Sequence, residues 1–143
     1  MIGFKNNNPG NIRYNPKIRG VIGRSSNGFA IFANRWSGLA AMRRLLSGYI
    51  AKGFNTISKI INRYAPAADN NKPDLYISFV SQKAGIRPDD KLSVADLEKI
   101  IPAMVQMEHG KKLSPGDLWL SKNLDKIPFV GAALFLLLFR KLH

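Results

Sequence analysis

The stretch Ser93-Val94-Ala95-Asp96-Leu97-Glu98-Lys99-Ile100-Ile101-Pro102-Ala103-Met104-Val105-Gln106-Met107-Glu108-His109-Gly110 reads as one capped helix around which the rest of the chain arranges itself. Leu97, Ile100, Ile101, Met104 and Val105 recur at helical spacing and mark a buried face. Ser93 is placed to cap the N-terminus, with Asp96 three residues on as a shortened capping-box acid, and Gly110 is placed to stop it. Pro102, inside the pattern, is expected to remove one backbone bond and bend the helix. Glu108 lies on the stripe through Ile101 and Met104, so a carboxylate prolongs an apolar face. It also meets the negative end of the helix dipole. Such a setting suits a general acid, and Glu108 is the first candidate catalytic residue. The other glutamate, Glu98, falls off the stripe and reads as solvated.

Three more helices precede this one. Trp36, Leu39, Met42, Leu46 and Tyr49-Ile50 share a face, with Gly53 as the stop. Ile57, Ile60, Ile61 and Tyr64 repeat the 0, 3, 4, 7 pattern from a start near Asn55 or Thr56, and Pro66 ends that helix. Pro73 opens a third through Leu75, Tyr76, Phe79 and Val80, closed by Gly85. The first 35 residues read differently. Pro9-Gly10 suits the centre of a type II turn. Val21-Ile22 and Phe29-Ala30-Ile31-Phe32 are β-prone, and Asn27-Gly28 between them signals a hairpin. Asp74, Asp89 and Asp90 read as turn-formers and caps. The expected fold is therefore mainly α (α+β), with a small β-rich segment at the N-terminus.

The chain has 143 residues, 22 Lys+Arg, 9 Asp+Glu, two His and no Cys, for a net charge of +13. The length suits one compact domain with a short appendage. Without cysteine there is no disulfide framework, thiol nucleophile or Cys-based zinc site, and two histidines do not furnish a His-rich metal site. Neither a metal nor a cofactor is expected. The positive charge points to an anionic partner: nucleic acid, anionic lipid or bacterial envelope polymer. No apolar core of a secretory signal follows Met1.

Several segments together resemble a known family. Asn6-Asn7-Asn8-Pro9-Gly10-Asn11-Ile12-Arg13 resembles the opening NNPGNIR of phage virion proteins with a lysozyme-like, peptidoglycan-degrading domain. Gly28-Phe29-Ala30-Ile31-Phe32 with Gly38-Leu39-Ala40 is similar to the family's GFxxF…GxxA, and Asn55-Thr56-Ile57 with Ile60 to Pro66 to its NTIxxIIxRWAP. Asp69-Asn70 with Tyr76-Ile77 and Val80 resembles ENxTxxYIxxV, and Glu108-His109-Gly110 resembles the closing ENG. The chain departs from these patterns at Tyr64, Asp69 and His109, where the family has Trp, Glu and Asn. The resemblance implies a lysozyme-like fold and cleavage of the peptidoglycan glycan strand, by a lytic transglycosylase or a muramidase, during phage entry or release. Glu108 would be the acid and then the base of a transglycosylase. A hydrolytic muramidase would add a second carboxylate such as Asp69, roughly 5–9 Å away. Asn11, Arg13 and Tyr64 become candidates to bind sugar or peptide. Lysozyme-like enzymes place their glutamate ahead of the β-rich stretch, so the order here fits a circular permutation. It requires Glu108 to pack against the Asn6–Arg13 turn and the 21–32 hairpin, across one cleft.

The remaining stretch is apolar. Ile127 to Phe139 carries no charge, with Lys126 before it and Arg140-Lys141 after it. Thirteen helical residues span about 20 Å, against roughly 30 Å of bilayer hydrocarbon. A helix apolar all round is either buried or in lipid, and the flanking cations favour lipid. The expected organisation is a peptidoglycan-degrading domain over 1–117 and a hydrophobic C-terminal helix over 118–143 acting as a membrane anchor. The expected location is the virion, in association with a membrane. Peptidoglycan, lipid and other virion proteins are the expected partners, and nucleic acid is the less favoured one because the basic residues are scattered and no nucleic-acid motif occurs. The alternative is a non-enzymatic, membrane-associated virion structural protein that binds lipid or packaged DNA.

Overall fold

A computed structural model describes residues 4–127 and is mainly helical, with one small sheet. A 3-10 turn at Lys5–Asn7 leads into strands β1 (Val21–Arg24) and β2 (Ala30–Phe32), then helices α1 (Arg35–Ala51), α2 (Ile57–Tyr64), α3 (Pro73–Ala84), α4 (Leu97–His109) and α5 (Pro115–Asn123). The two strands pair antiparallel, with Val21 opposite Phe32 and Arg24 opposite Ala30 and a register shift between Val21 and Gly23. Arg13 forms an isolated bridge to Phe29 beside them.

The helices form where period and punctuation agree. Asn34 and Thr56 accept from the backbone N–H groups of Ser37 and Lys59, which caps α1 and α2. Ser93 and Asp96 make the reciprocal capping box, but a 3-10 turn (Val94–Asp96) stands between it and α4. Gly110 closes α4 in the left-handed conformation, and the helix continues through Pro102.

Helix α4 lies at the centre. Leu97, Ile100, Ile101, Met104 and Val105 are fully enclosed, against Leu39, Met42 and Leu46 of α1, the Ile57–Ile60–Ile61 face of α2, and Val80 of α3. Each such side chain contributes roughly 1.5–3 kcal/mol of transfer free energy. Glu98 is half-exposed, and its Oε1 accepts from Arg43 on α1 at 2.8 Å and faces Lys122 on α5 at 3.6 Å, so it ties three helices rather than standing free in water.

Helix α5 has no counterpart in the reading of the sequence. It starts at its own capping box (Ser114, Asp117) and packs on α1 through buried Asp117, which accepts from Trp36 Nε1 at 3.1 Å and forms an ion pair with Arg35, whose Nε lies 3.0 Å away. The boundary expected at 117/118 thus falls inside a packed helix. Among the described residues no helix is long and apolar enough to cross a membrane. The apolar stretch expected to form the anchor lies, from Pro128 on, outside the described residues.

Candidate active site

The site is built on the N-terminal turn. Asn8 is buried, and its amide does three jobs: Nδ2 donates to the carbonyls of Ile12 (2.9 Å) and Ala30 (3.0 Å), while Oδ1 accepts from the Ile12 N–H. Asn7 Nδ2 donates to the Phe32 carbonyl at 3.0 Å, so the turn is fastened to the hairpin. It also lies on α1 at Gly38, where a Cβ would strike the Asn7 carbonyl and come within 2.8 Å of Pro9.

The Asn11 N–H donates to the Asn8 carbonyl across Pro9-Gly10, so the expected turn exists. It is not type II, because the positive φ falls on Asn11 (49°) and not on Gly10. Glycine is needed there for space instead. A Cβ on Gly10 would lie 2.5 Å from the Tyr64 hydroxyl and 3.1 Å from Met42 Sδ. The Tyr64 hydroxyl donates a short hydrogen bond to the Gly10 carbonyl.

The left-handed Asn11 presents its side chain to the end of α4. Asn11 Nδ2 donates to Glu108 Oε2 at 2.8 Å, and the Tyr76 hydroxyl donates to Glu108 Oε1 at 2.8 Å. Next along the chain, His109 Nε2 donates to the Pro9 carbonyl at 2.8 Å and the imidazole meets the Phe4 ring edge-on at 5.1 Å. Glu108 is half-buried, while Tyr76 is only 5% exposed. Burial, and then the neighbouring Glu108 charge, push both the Tyr64 and the Tyr76 phenols far above the ordinary tyrosine value. Both therefore act as O–H donors across the whole neutral range. A carboxylate has about four lone-pair sites, of which these two donors occupy two.

Four chain segments therefore meet at one carboxyl group: the 8–11 turn, the end of α2 with Tyr64, the start of α3 with Tyr76, and the end of α4. Of the residues singled out in the sequence, Glu108, Asn11 and Tyr64 come together. The expected approach of Glu108 to the Asn6–Arg13 turn is found at Asn11, and the hairpin is joined to that turn through Asn7 and Asn8. Asp69 and Arg13 are not among the hydrogen-bond partners of Glu108. Asp69 is exposed in a 3-10 turn (Ala67–Asp69) between α2 and α3, and both Glu108 oxygens are engaged by other residues. Arg13 is exposed and turned onto the hairpin, donating to the Asn27 carbonyl at 3.3 Å and lying 4.6 Å over the Phe29 ring. Tyr76 is the partner that the sequence reading placed only in the apolar pattern of the third helix. Its signal was present: a tyrosine on the buried face of a helix needs a partner for its hydroxyl. Among the described residues no group of His, Asp and Glu is arranged to hold a metal ion.

The site is thus a half-buried carboxyl group at a helix end, oriented by one amide and one phenol. No family model matches the chain. The chain is similar to Protein P5 of Pseudoalteromonas phage PM2, with 37% identity over 83 residues, which cover 57% of this chain and 51% of that protein. It thus spans about half the length of the curated relative it matches.

Proposed function

We propose that the protein is a virion-associated, peptidoglycan-degrading enzyme that cleaves the glycan strand, with Glu108 as its acid–base group. The observation that carries this reading is the Asn11–Glu108–Tyr76 arrangement, which fixes both carboxyl oxygens with neutral donors. The similarity to a bacteriophage protein supports the virion setting. In the transglycosylase route, protonated Glu108 delivers its proton to the glycosidic oxygen as the C–O bond breaks. The resulting carboxylate then takes the proton of the muramyl 6-hydroxyl as that oxygen closes an anhydro ring. One carboxyl group suffices for this route, whereas a hydrolase would need a second one such as Asp69 at a defined separation. Cleavage by a muramidase remains the variant in which water replaces the sugar hydroxyl.

The test is a zymogram on bacterial cell walls. Glu108→Gln is a clean variant: its amide oxygen can still accept from Asn11, and its NH2 can donate to the Tyr76 oxygen, yet it carries no titratable proton. Lysis should vanish with the thermal midpoint little changed, and Asp69→Asn should cost much less. Full lysis by Glu108→Gln sinks the assignment, and comparable losses at both positions select the hydrolase. A non-enzymatic virion component is the second reading, favoured by the net charge of +13. Absence of lysis together with retained binding to anionic vesicles or DNA would establish it.

A further inference from the structure

We propose that Arg13 and Arg24 form a carboxylate-binding fork at the tip of the hairpin, and that the carboxylates it takes are those of peptidoglycan stem peptides. The choice of ligand rests on the wall-degrading reading above; the fork itself rests on geometry. A methyl group placed on Gly28 (φ +87°) would lie 3.7 Å from Arg13 Nη1 and 3.9 Å from Arg24 Nη2, so two guanidinium groups crowd one glycine. Both arginines are exposed, and neither has an ion-pair partner among the described residues. Arg19, Arg35, Arg43 and Arg87, in contrast, each face a carboxylate.

Each guanidinium is also steadied from beneath by an aromatic ring. Arg13 lies 4.6 Å over Phe29, and Arg24 5.9 Å over Tyr14. The ring contacts steady both groups; one Arg13 N–H is spent on the Asn27 carbonyl, and the remaining N–H groups suit capture of a planar anion. Two cations that approach the same glycine without a carboxylate beside them among the described residues gain from an anion bound between them. The position fits a stem peptide. Arg13 follows Asn11 by two residues, at most about 7 Å of chain, and Asn11 touches Glu108. The peptide hangs from the same muramyl sugar whose glycosidic bond Glu108 would break.

The experiment measures binding, so it needs no turnover. Glu108→Gln protein is titrated with soluble glycan fragments from Gram-negative walls, which carry no phosphate polymers. One arm keeps the stem peptides, and the other has lost them to an amidase and has the lactyl carboxylates so freed capped as amides. Arg24→Gln in that background should weaken binding to peptide-bearing fragments by about tenfold or more and leave peptide-free fragments unaffected. Arg24→Lys should restore only part of the loss, because it returns the charge without the planar fork. Arg24 is preferred to Arg13 because Arg13 also supports the hairpin. Circular dichroism of Arg24→Gln checks that the hairpin persists. No change in binding, an equal loss on both fragments, or a loss confined to phosphatidylglycerol vesicles would each overturn the proposal. Failure of the unsubstituted-arginine protein to bind either fragment would overturn the wall reading itself. Peptide-dependent binding without any lysis by the Glu108 protein would leave the fork standing and remove only the enzyme.

Discussion

At the level of single residues, Glu108 was legible because it breaks the chemistry of a stripe while keeping its spacing. Its partners were less so. Asn11 lies 97 residues away and reaches it only because it adopts φ 49°, which no periodicity announces. Tyr76 looked like core because it is core: the ring is buried and only the hydroxyl reaches the carboxylate. Gly10 was legible as a turn glycine but for the wrong reason, since close approach of Tyr64 and not backbone conformation demands it. That distinction is testable. Gly10→Ala should destabilise the protein by about 1–3 kcal/mol through overpacking. The penalty should shrink in a Tyr64→Phe background, where the crowding oxygen is gone, and a double-mutant cycle on thermal or urea unfolding reads the coupling. Additive effects of the two substitutions would show that the glycine is there for another purpose.

Elements were readable from sequence where an apolar period ran between a cap and a stop. Helices α1 to α4 meet that condition, with Asn34, Thr56, Pro73 and Ser93 at or just before their starts and Gly53, Pro66, Gly85 and Gly110 just past their ends. Helix α5 does not, because its nine residues bury mainly Leu120, and the apolar run after it dominates the local pattern. Its capping box, Ser114 with Asp117, and Pro115 at its first position were the signals available. What fastens α5 to α1 is polar instead. Buried Asp117 gathers Ser114, Trp36 and Arg35 around one carboxylate, and Ser114 Oγ donates to it at 2.9 Å. Asp117→Ala removes the cap and the inter-helix contacts together and should cost about 3–5 kcal/mol. Asp117→Asn keeps the shape and should cost less. Chemical denaturation measures both, and a loss below about 1 kcal/mol for the alanine variant would show that α5 is held by its apolar contacts alone.

For the whole molecule, two consequences follow, one for the tail and one for the core. A membrane anchor in the apolar C-terminal stretch predicts that removing 128–143 leaves the thermal midpoint nearly unchanged while abolishing cosedimentation with anionic liposomes. Insoluble, unfolded protein after that truncation would place the tail in the core instead. The second consequence concerns alkali. Tyr64 and Tyr76 join the N-terminal turn to α2, α3 and α4, and burial beside Glu108 raises both phenols above their unfolded value near 10. Tyr49, half-buried, is raised as well by burial, against the opposing Arg63 guanidinium. For an acid whose folded pKa is the higher one, the folded state keeps the proton that the unfolded state has released. The stabilisation is thus complete below pH ~10 and is lost as pH climbs towards the folded value. Each fully retained proton lowers the unfolding free energy by about 1.4 kcal/mol per pH unit, so Tyr64 and Tyr76 together give a slope of about 2.7. Their phenolate absorbance should therefore rise in step with the loss of helical circular dichroism, in one cooperative alkaline transition. The double variant Tyr64→Phe/Tyr76→Phe should flatten that slope. If these two phenols ionise gradually while the helical signal stays intact, the enclosure of the Glu108 site by the two tyrosines is wrong, because water would already have reached them in the folded protein.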